Sequence, residues 1–326
     1  MSEVAAPVGF FGKLPARGDF VRANGNQQLM VLLDRWAGSA LEMLSRNSDW
    51  KRLYDQAPPM AFAFVGSRNR LAIAGHFLPS ADASQRRFPF LSATGVEVAQ
   101  PLEFIARCPL AFSRLWTTLS RLSADVVRAE EPTAALRVLG ESSLRVNTAP
   151  AAYDAALMDF LDLQSIGSLQ ELLEASGHRD LQLKWVLPAL GLLLQPALTG
   201  ASAHLEKALA LPLPRDPLYR TLVATFWMDL IAGFIGRAPY ELAILIQDVA
   251  TPRLVVGFAG ADAASLYGVL DPVAAREQLI LVDDAEWVEE QLASDYALNK
   301  LVGYLERDEF SLRSARQFFR ETFLGA

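Results

Sequence analysis

Ala61-Phe-Ala-Phe-Val65 and Leu71-Ala-Ile-Ala-Gly-His-Phe77, with Gly66-Ser-Arg-Asn-Arg70 between them, decide the fold class. Each run is too short for a helix of ordinary length and is dense in apolar and aromatic residues. The connector carries the Gly, Ser and Asn of a loop longer than two residues, so the segment reads as a β-hairpin. A third strand is predicted from Phe88 to Val98. Upstream, Phe10, Phe11 and Leu14 lie among Gly9, Gly12, Pro15 and Gly18, which is a short strand entering a tight loop. Between these strands, Leu29, Leu32, Leu33, Trp36, Ala37, Ala40, Leu41 and Leu44 form one stripe at the helical period, with Arg35, Glu42 and Arg46 off it.

Downstream, Leu110, Leu115, Trp116, Leu119, Leu122 and Val126 mark a second amphipathic helix, and from there to about Leu211 the periodic pattern is helical. An apolar helix is expected over Leu218 to Ile235. Leu242-Ala-Ile-Leu-Ile246 and Leu254-Val-Val-Gly-Phe258 then form a second strand pair, and helices close the chain through Leu298, Leu305, Leu312 and Phe323. Strands from both ends of the chain could therefore share one sheet with helices on both faces. Trp185 to Leu205 carries no full charge and approaches the length of a membrane span. Pro188, Gln195, Pro196 and His204 interrupt it, so it reads as buried helix.

The 326 residues are 52% hydrophobic and 21% charged, an ordinary folded composition. Thirty basic against thirty-seven acidic residues give a formal charge of -7, the wrong sign for a protein that neutralises many phosphates, so nucleic acid is not expected as a ligand. The single cysteine, Cys108, permits no internal disulfide and no thiolate metal cluster. Met1-Ser-Glu-Val-Ala-Ala-Pro7 lacks the apolar core of a secretory signal. A cytoplasmic protein is expected.

Few residues suggest chemistry. Gly9-Phe-Phe-Gly12-Lys13-Leu14 places a glycine-lysine pair after a strand. It has two residues rather than four between its glycines, and Leu14 stands where a phosphate loop needs Ser or Thr. Gly257-Phe-Ala-Gly260 lacks the third glycine of a dinucleotide turn. Only His76, His178 and His204 are available as bases, and scattered histidines do not make a metal site. His76 lies near Ser80 and Asp82 but within an alternating strand, where a structural role suffices. Asp283, Asp284, Glu286, Glu289 and Glu290 cluster at a helix start, where carboxylates complement the helix dipole. No cofactor or metal is expected and no residue is assigned a catalytic role.

Two loops stand out instead. Arg17-Gly18-Asp19 precedes Phe20. There Asp19 would cap a turn or pair with an arginine, and Phe20 would be a buried apolar anchor. Leu78-Pro-Ser-Ala-Asp-Ala-Ser-Gln-Arg-Arg87 ends in two arginines before Phe88-Pro-Phe90. Loops of this kind cap a sheet or present a surface to a partner.

These loops also carry a family resemblance. Gly9-Phe-Phe-Gly-Lys-Leu-Pro-Ala-Arg-Gly-Asp-Phe20 resembles the opening signature of the TagF family of type VI secretion proteins. Gly75-His-Phe-Leu-Pro-Ser80, Asp82 and Arg87-Phe-Pro-Phe90 resemble its second signature, and Asp34 with Trp36 match its first helix. The chain departs from the pattern at Leu78, where Met is commoner, at Arg86, and at Arg22-Ala23, where a serine is usual.

The resemblance implies a three-layer α/β/α sandwich around a mixed, largely antiparallel sheet. It also implies a non-enzymatic, post-translational repressor of secretion that acts with a forkhead-associated scaffold and a phosphatase of the same pathway. Gly12, Pro15, Gly18, Phe20, Trp36, Pro79 and Pro89 would be the structural signature, and Lys13, Arg17, Asp19, Ser80, Asp82, Arg86 and Arg87 the partner-binding set. The expected layout is a TagF-like α/β half over residues 1–139, a helical insertion over 140–210 and an α/β half over 211–326 that completes the same fold. A structural part of the secretion apparatus, or a hydrolase using His76 with Ser80 or Asp82, are the competing readings.

Overall fold

In the computed structural model, which describes residues 3–23, 25–199, 205–292 and 295–325, the chain forms an α/β sandwich around one large sheet. Its strands are β1 (Glu3–Pro7), β2 (Gly9–Gly12), β3 (Val21–Arg22), β4 (Met60–Gly66), β5 (Leu71–Leu78), β6 (Phe90–Glu97), β7 (Ser143–Asn147), β8 (Ala208–Pro212), β9 (Glu241–Gln247), β10 (Arg253–Gly257) and β11 (Leu279–Leu281). The helices of the first half are α1 (Gln27–Leu44), α2 (Trp50–Asp55), α3 (Pro101–Ile105), α4 (Cys108–Arg128), α5 (Thr133–Glu141), α6 (Asp154–Leu163) and α7 (Ile166–Glu174). Those of the second half are α8 (Leu183–Leu198), α9 (Pro217–Ala232), α10 (Ala263–Leu270), α11 (Pro272–Gln278), α12 (Glu289–Leu292), α13 (Tyr296–Leu305) and α14 (Leu312–Leu324).

Nine strands run in the order β11-β8-β10-β9-β4-β5-β6-β2-β3, antiparallel throughout except for the β11–β8 pair. The hairpin expected at Ala61 to Phe77 is β4–β5, and it stands at the centre because β4 pairs on its other side with β9 from Met60↔Gln247 to Gly66↔Glu241. Two hairpins, β4–β5 and β9–β10, thus lie back to back and join the two ends of the chain in one sheet. Strict alternation sends Phe62, Phe64, Ile73, Phe77 and Leu245 to one face under α1 and α10. Trp36 of α1 is the keystone there, 1% exposed and within 5.0 Å of the Phe62 ring and 5.1 Å of the Phe64 ring. The opposite face, with Ala63, Val65, Ala72, Ala74, Phe90 and Ile244, is covered by α4, α9 and the helices stacked outside them. On that side the indole N–H of Trp116 donates to the Phe62 carbonyl at 3.0 Å and that of Trp227 to the Pro212 carbonyl at 2.9 Å.

Two short strands depart from the helical pattern expected from Val126 to about Leu211, and a third, β11, lies beyond that stretch. Ser143–Asn147 is β7, paired with β1 in a separate two-stranded ribbon. Ala208–Pro212 is β8, buried at every position, so it carries no alternation that would separate it from a helix end. Leu279–Leu281 is β11, with three residues too few for any periodicity. Trp185 begins the apolar stretch that is helical to Leu198 as α8, with Pro188 and Pro196 inside it, and His204 lies outside the described residues. Among the described residues, no helix is long and apolar enough to cross a membrane.

Candidate functional site

Gly12 is where the two signature loops come together. β2 lies against β6 with Phe11 opposite Leu91, and at Gly12 the backbone takes φ 146° while passing Pro89. A Cβ there would sit 2.1 Å from the Pro89 carbonyl oxygen, so only glycine allows the approach. The chain turns after Leu14, whose carbonyl accepts the Arg17 N–H at 3.0 Å, and returns as β3 beside Phe11 and Gly12. The second loop leaves β5 at Leu78 and rejoins the sheet at Phe90. It is pinned from beneath by Tyr54, whose hydroxyl donates to the Ser80 carbonyl and accepts the Ser80 N–H, both at 3.0 Å. The Ser80 hydroxyl donates to the Lys13 carbonyl at 2.8 Å, and the Ala83 N–H donates to the Arg17 carbonyl at 2.8 Å. The loops are therefore tied to each other through backbone as well as side chains.

Asp82 is the hub of this contact. It is fully buried and receives four donors: the Ser84 and Arg86 N–H groups at 2.9 and 3.0 Å, the Arg86 Nε at 2.7 Å and the Lys13 ammonium at 2.9 Å. Burial alone would raise the pKa of this carboxyl. The bonds from the Arg86 N–H, Lys13, the Arg86 guanidinium and the Ser84 N–H outweigh burial and hold it well below the usual carboxylate range. Lys13, itself buried, also lies 5.0 Å from the centre of the Phe20 ring. Arg86 reaches past Asp82 to donate to the Gly18 carbonyl at 2.5 Å. Arg87 turns the other way and grips Asp55 of α2 with two bonds of 2.7 and 2.6 Å, which lower the Asp55 pKa. Arg17 donates to the Thr133 hydroxyl at 2.7 Å, at the start of α5.

The residues expected to meet a partner divide by position. Lys13, Ser80 and Asp82 point inward and hold the loops, Arg87 binds α2, and Arg17, Asp19 and the outer edge of Arg86 line the surface. Asp19 is exposed and neither caps a turn nor meets an arginine among the described residues. Phe20 corrects an expectation. Its ring is 45% exposed rather than buried, stacked at 5.0 Å on Phe11 and edge-on at 5.0 Å to Phe88. It is held by two neighbouring rings on the sheet's rim, where no layer lies above it. Tyr54, Asp55 and Thr133 were not singled out by sequence, since nothing local to them signals that they face these loops.

The other candidates take structural places. Lys13, the lysine after Gly12, is engaged by Asp82. His76 is 4% exposed, opposite Ala61 and Ser92 in the sheet, and makes no hydrogen bond to Ser80 or Asp82. The Nε2 of His178 lies 3.1 Å from both the Leu213 and Pro252 carbonyls, so that nitrogen carries the proton, and Asp283 is paired bidentately with Arg253. Among the described residues no His, Cys, Asp and Glu cluster could hold a metal ion. A mostly apolar concavity of about 940 Å³ lies between α4, α6 and α9, away from these loops.

Residues 9–139 match the family model of the TagF N-terminal domain, type VI secretion system-associated. The matched segment contains both loops and everything that holds them. The crystal structure of PA0076 from Pseudomonas aeruginosa PAO1 is similar over 41% of this chain at 24% identity, with a TM-score of 0.34. That similarity spans 61% of the Pseudomonas protein, less than two thirds of its length. No curated protein matches the chain.

Proposed function

From residues 9–139 as a TagF N-terminal domain associated with type VI secretion, we propose that the protein is a non-enzymatic regulator that restrains the secretion machine. It does so post-translationally, in the cytoplasm, by binding a forkhead-associated scaffold protein. The contact face is the outer side of the two docked loops, with Arg17, Asp19, Phe20 and Arg86 as the groups a partner meets. One observation carries this reading: the internal carboxylate of Asp82 holds Lys13 and Arg86, so the outer side chains are presented on a backbone fixed before any partner arrives. Aromatic residues and arginines are enriched at protein interfaces, and Phe20 is left 45% exposed in the same loop as Arg17. The catalytic alternative draws no support from Ser80 and Asp82, whose polar atoms are already engaged in holding the loops.

Co-purification of the full chain with the scaffold tests the reading. Arg17→Ala removes one exposed bond to Thr133, and such surface changes usually shift stability by no more than about 0.5 kcal/mol. Capture should be lost or weakened severalfold by Arg17→Ala and by Phe20→Ala while Arg17→Ala leaves the melting temperature unchanged. Normal capture by both variants would sink the proposal, as would loss that only accompanies unfolding. Co-purification with baseplate proteins in place of the scaffold would favour an assembly accessory instead.

A further inference from the structure

A second charged site lies in the helical layer, at the junction of α3 with α4 and beside the C-terminal helix α14. Asp229 of α9 is 3% exposed and sits between two arginines. Its Oδ1 accepts the Arg107 Nη1 at 2.7 Å and the Arg316 Nη2 at 3.1 Å, and its Oδ2 accepts the Arg316 Nε at 2.5 Å. Arg107 also donates through Nε to Asp154 at 2.9 Å. These bonds fix two guanidiniums in place on one buried carboxylate, and they line a cavity of about 430 Å³. A third guanidinium, Arg320, lies one helical turn beyond Arg316 and lines the same cavity. Arg320 is half-buried yet has no hydrogen bond and no ion pair among the described residues. Glu103 stands exposed at the rim, unpaired with it.

An arginine is rarely withdrawn from water beside two other arginines without an acceptor of its own, because the charge loses hydration and meets repulsion. Burial, then Arg316 and Arg107, lower the Arg320 pKa against the opposing pull of Asp229. We infer that this cavity is a binding site for a small oxyanion, a phosphate or carboxylate group, received by Arg320 together with the free donors of Arg107 and Arg316. Asp229 is the positioning residue that holds the two fixed guanidiniums, and the planar forks suit bidentate recognition of oxygen pairs. Because the donors come from α14 and from the residue before α4, occupancy fastens the C-terminal helix to the body. The inference does not rest on the role proposed for the two loops.

The test is a titration of the purified full chain with inorganic phosphate and, separately, with sodium acetate, each against sodium chloride at equal ionic strength. The melting temperature is followed throughout. A saturable rise with phosphate, acetate or both is expected, and the anion that acts identifies the group recognised. Arg320→Gln should weaken that binding by about tenfold or more, the loss expected for one charge-assisted fork. In chloride alone the same variant should melt no lower than the parent, since it removes a partly buried charge with no ion pair among the described residues. No saturable rise with either anion, an undiminished rise in Arg320→Gln, or a markedly lower melting temperature of that variant in chloride would each overturn the inference.

Discussion

Replacing Asp82 by Asn keeps the shape of the hub and removes its charge, leaving the buried Lys13 ammonium without its counter-ion. The variant should melt well below the parent and should show faster hydrogen exchange in the Arg17 and Ala83 segments. An unchanged melting temperature would show that the two loops dock without the ion pair. The folded-state pKa of Asp82 lies below the ordinary value, so its contribution is complete above about pH 4 and is lost only as the pH falls beneath that. His76 behaves differently. Burial pushes its pKa down to about 4, against a smaller opposing pull from Asp248, so the folded ring stays neutral while an unfolded chain would take up a proton. Its contribution is therefore complete above about pH 6.5 and declines toward pH 4, by an amount on the order of 3 kcal/mol. His76→Leu should flatten that limb of the melting profile and leave regulation intact; a profile with the parent's slope would assign the pH dependence to another group. At this scale the site was half legible. Lys13, Asp82 and Arg86 stood out as polar residues in two loops, but that they meet depends on Gly12 passing over Pro89, a contact between residues remote in sequence. Phe20 was misjudged because an aromatic beside a strand is usually covered, whereas here Phe11, Phe88 and the Lys13 ammonium flank it and leave it 45% exposed.

Among the elements, α1 was the clearest from sequence, and its single stripe meets the sheet as expected. Trp36→Ala should cost about 3 to 5 kcal/mol, the usual loss for truncating a large buried aromatic, and chemical denaturation would measure it. The Trp36 indole N–H is buried without a partner, so Trp36→Phe, which removes that unsatisfied donor along with part of the ring, should cost distinctly less. Equal losses in the two variants would mean that the indole N–H is satisfied in solution. The strands β4, β5, β9 and β10 were legible because each is an apolar run bounded by Gly, Pro or Asp. β8 was not, since Ala208-Leu-Ala-Leu-Pro212 is apolar on both faces and stands after a long helical region. β7 alternates, but five residues paired only with β1 give too weak a pattern to outweigh helices on either side.

For the molecule as a whole, the central fact is that β4 from the first half and β9 from the second are neighbours along seven residue pairs. The matched TagF segment, residues 9–139, therefore ends with one edge of its sheet unpaired. Expressed alone it should aggregate or fail to melt cooperatively, while the full chain should unfold in one transition by calorimetry. A monomeric fragment with a cooperative transition would show that the second half is dispensable for folding. Such an arrangement was foreseeable from two strand pairs at opposite ends of the chain, but their adjacency was not, because register between distant strands leaves no local mark. The β4–β9 pairing also sets a schedule during synthesis. About 180 residues separate Phe64 from its partner Ala243. At a ribosomal pace of ~5–20 residues per second, β4 waits roughly 10 to 35 seconds with its apolar edge open before β9 emerges. Yield of this protein in a heterologous host should therefore depend on how well that nascent interval is shielded by chaperones.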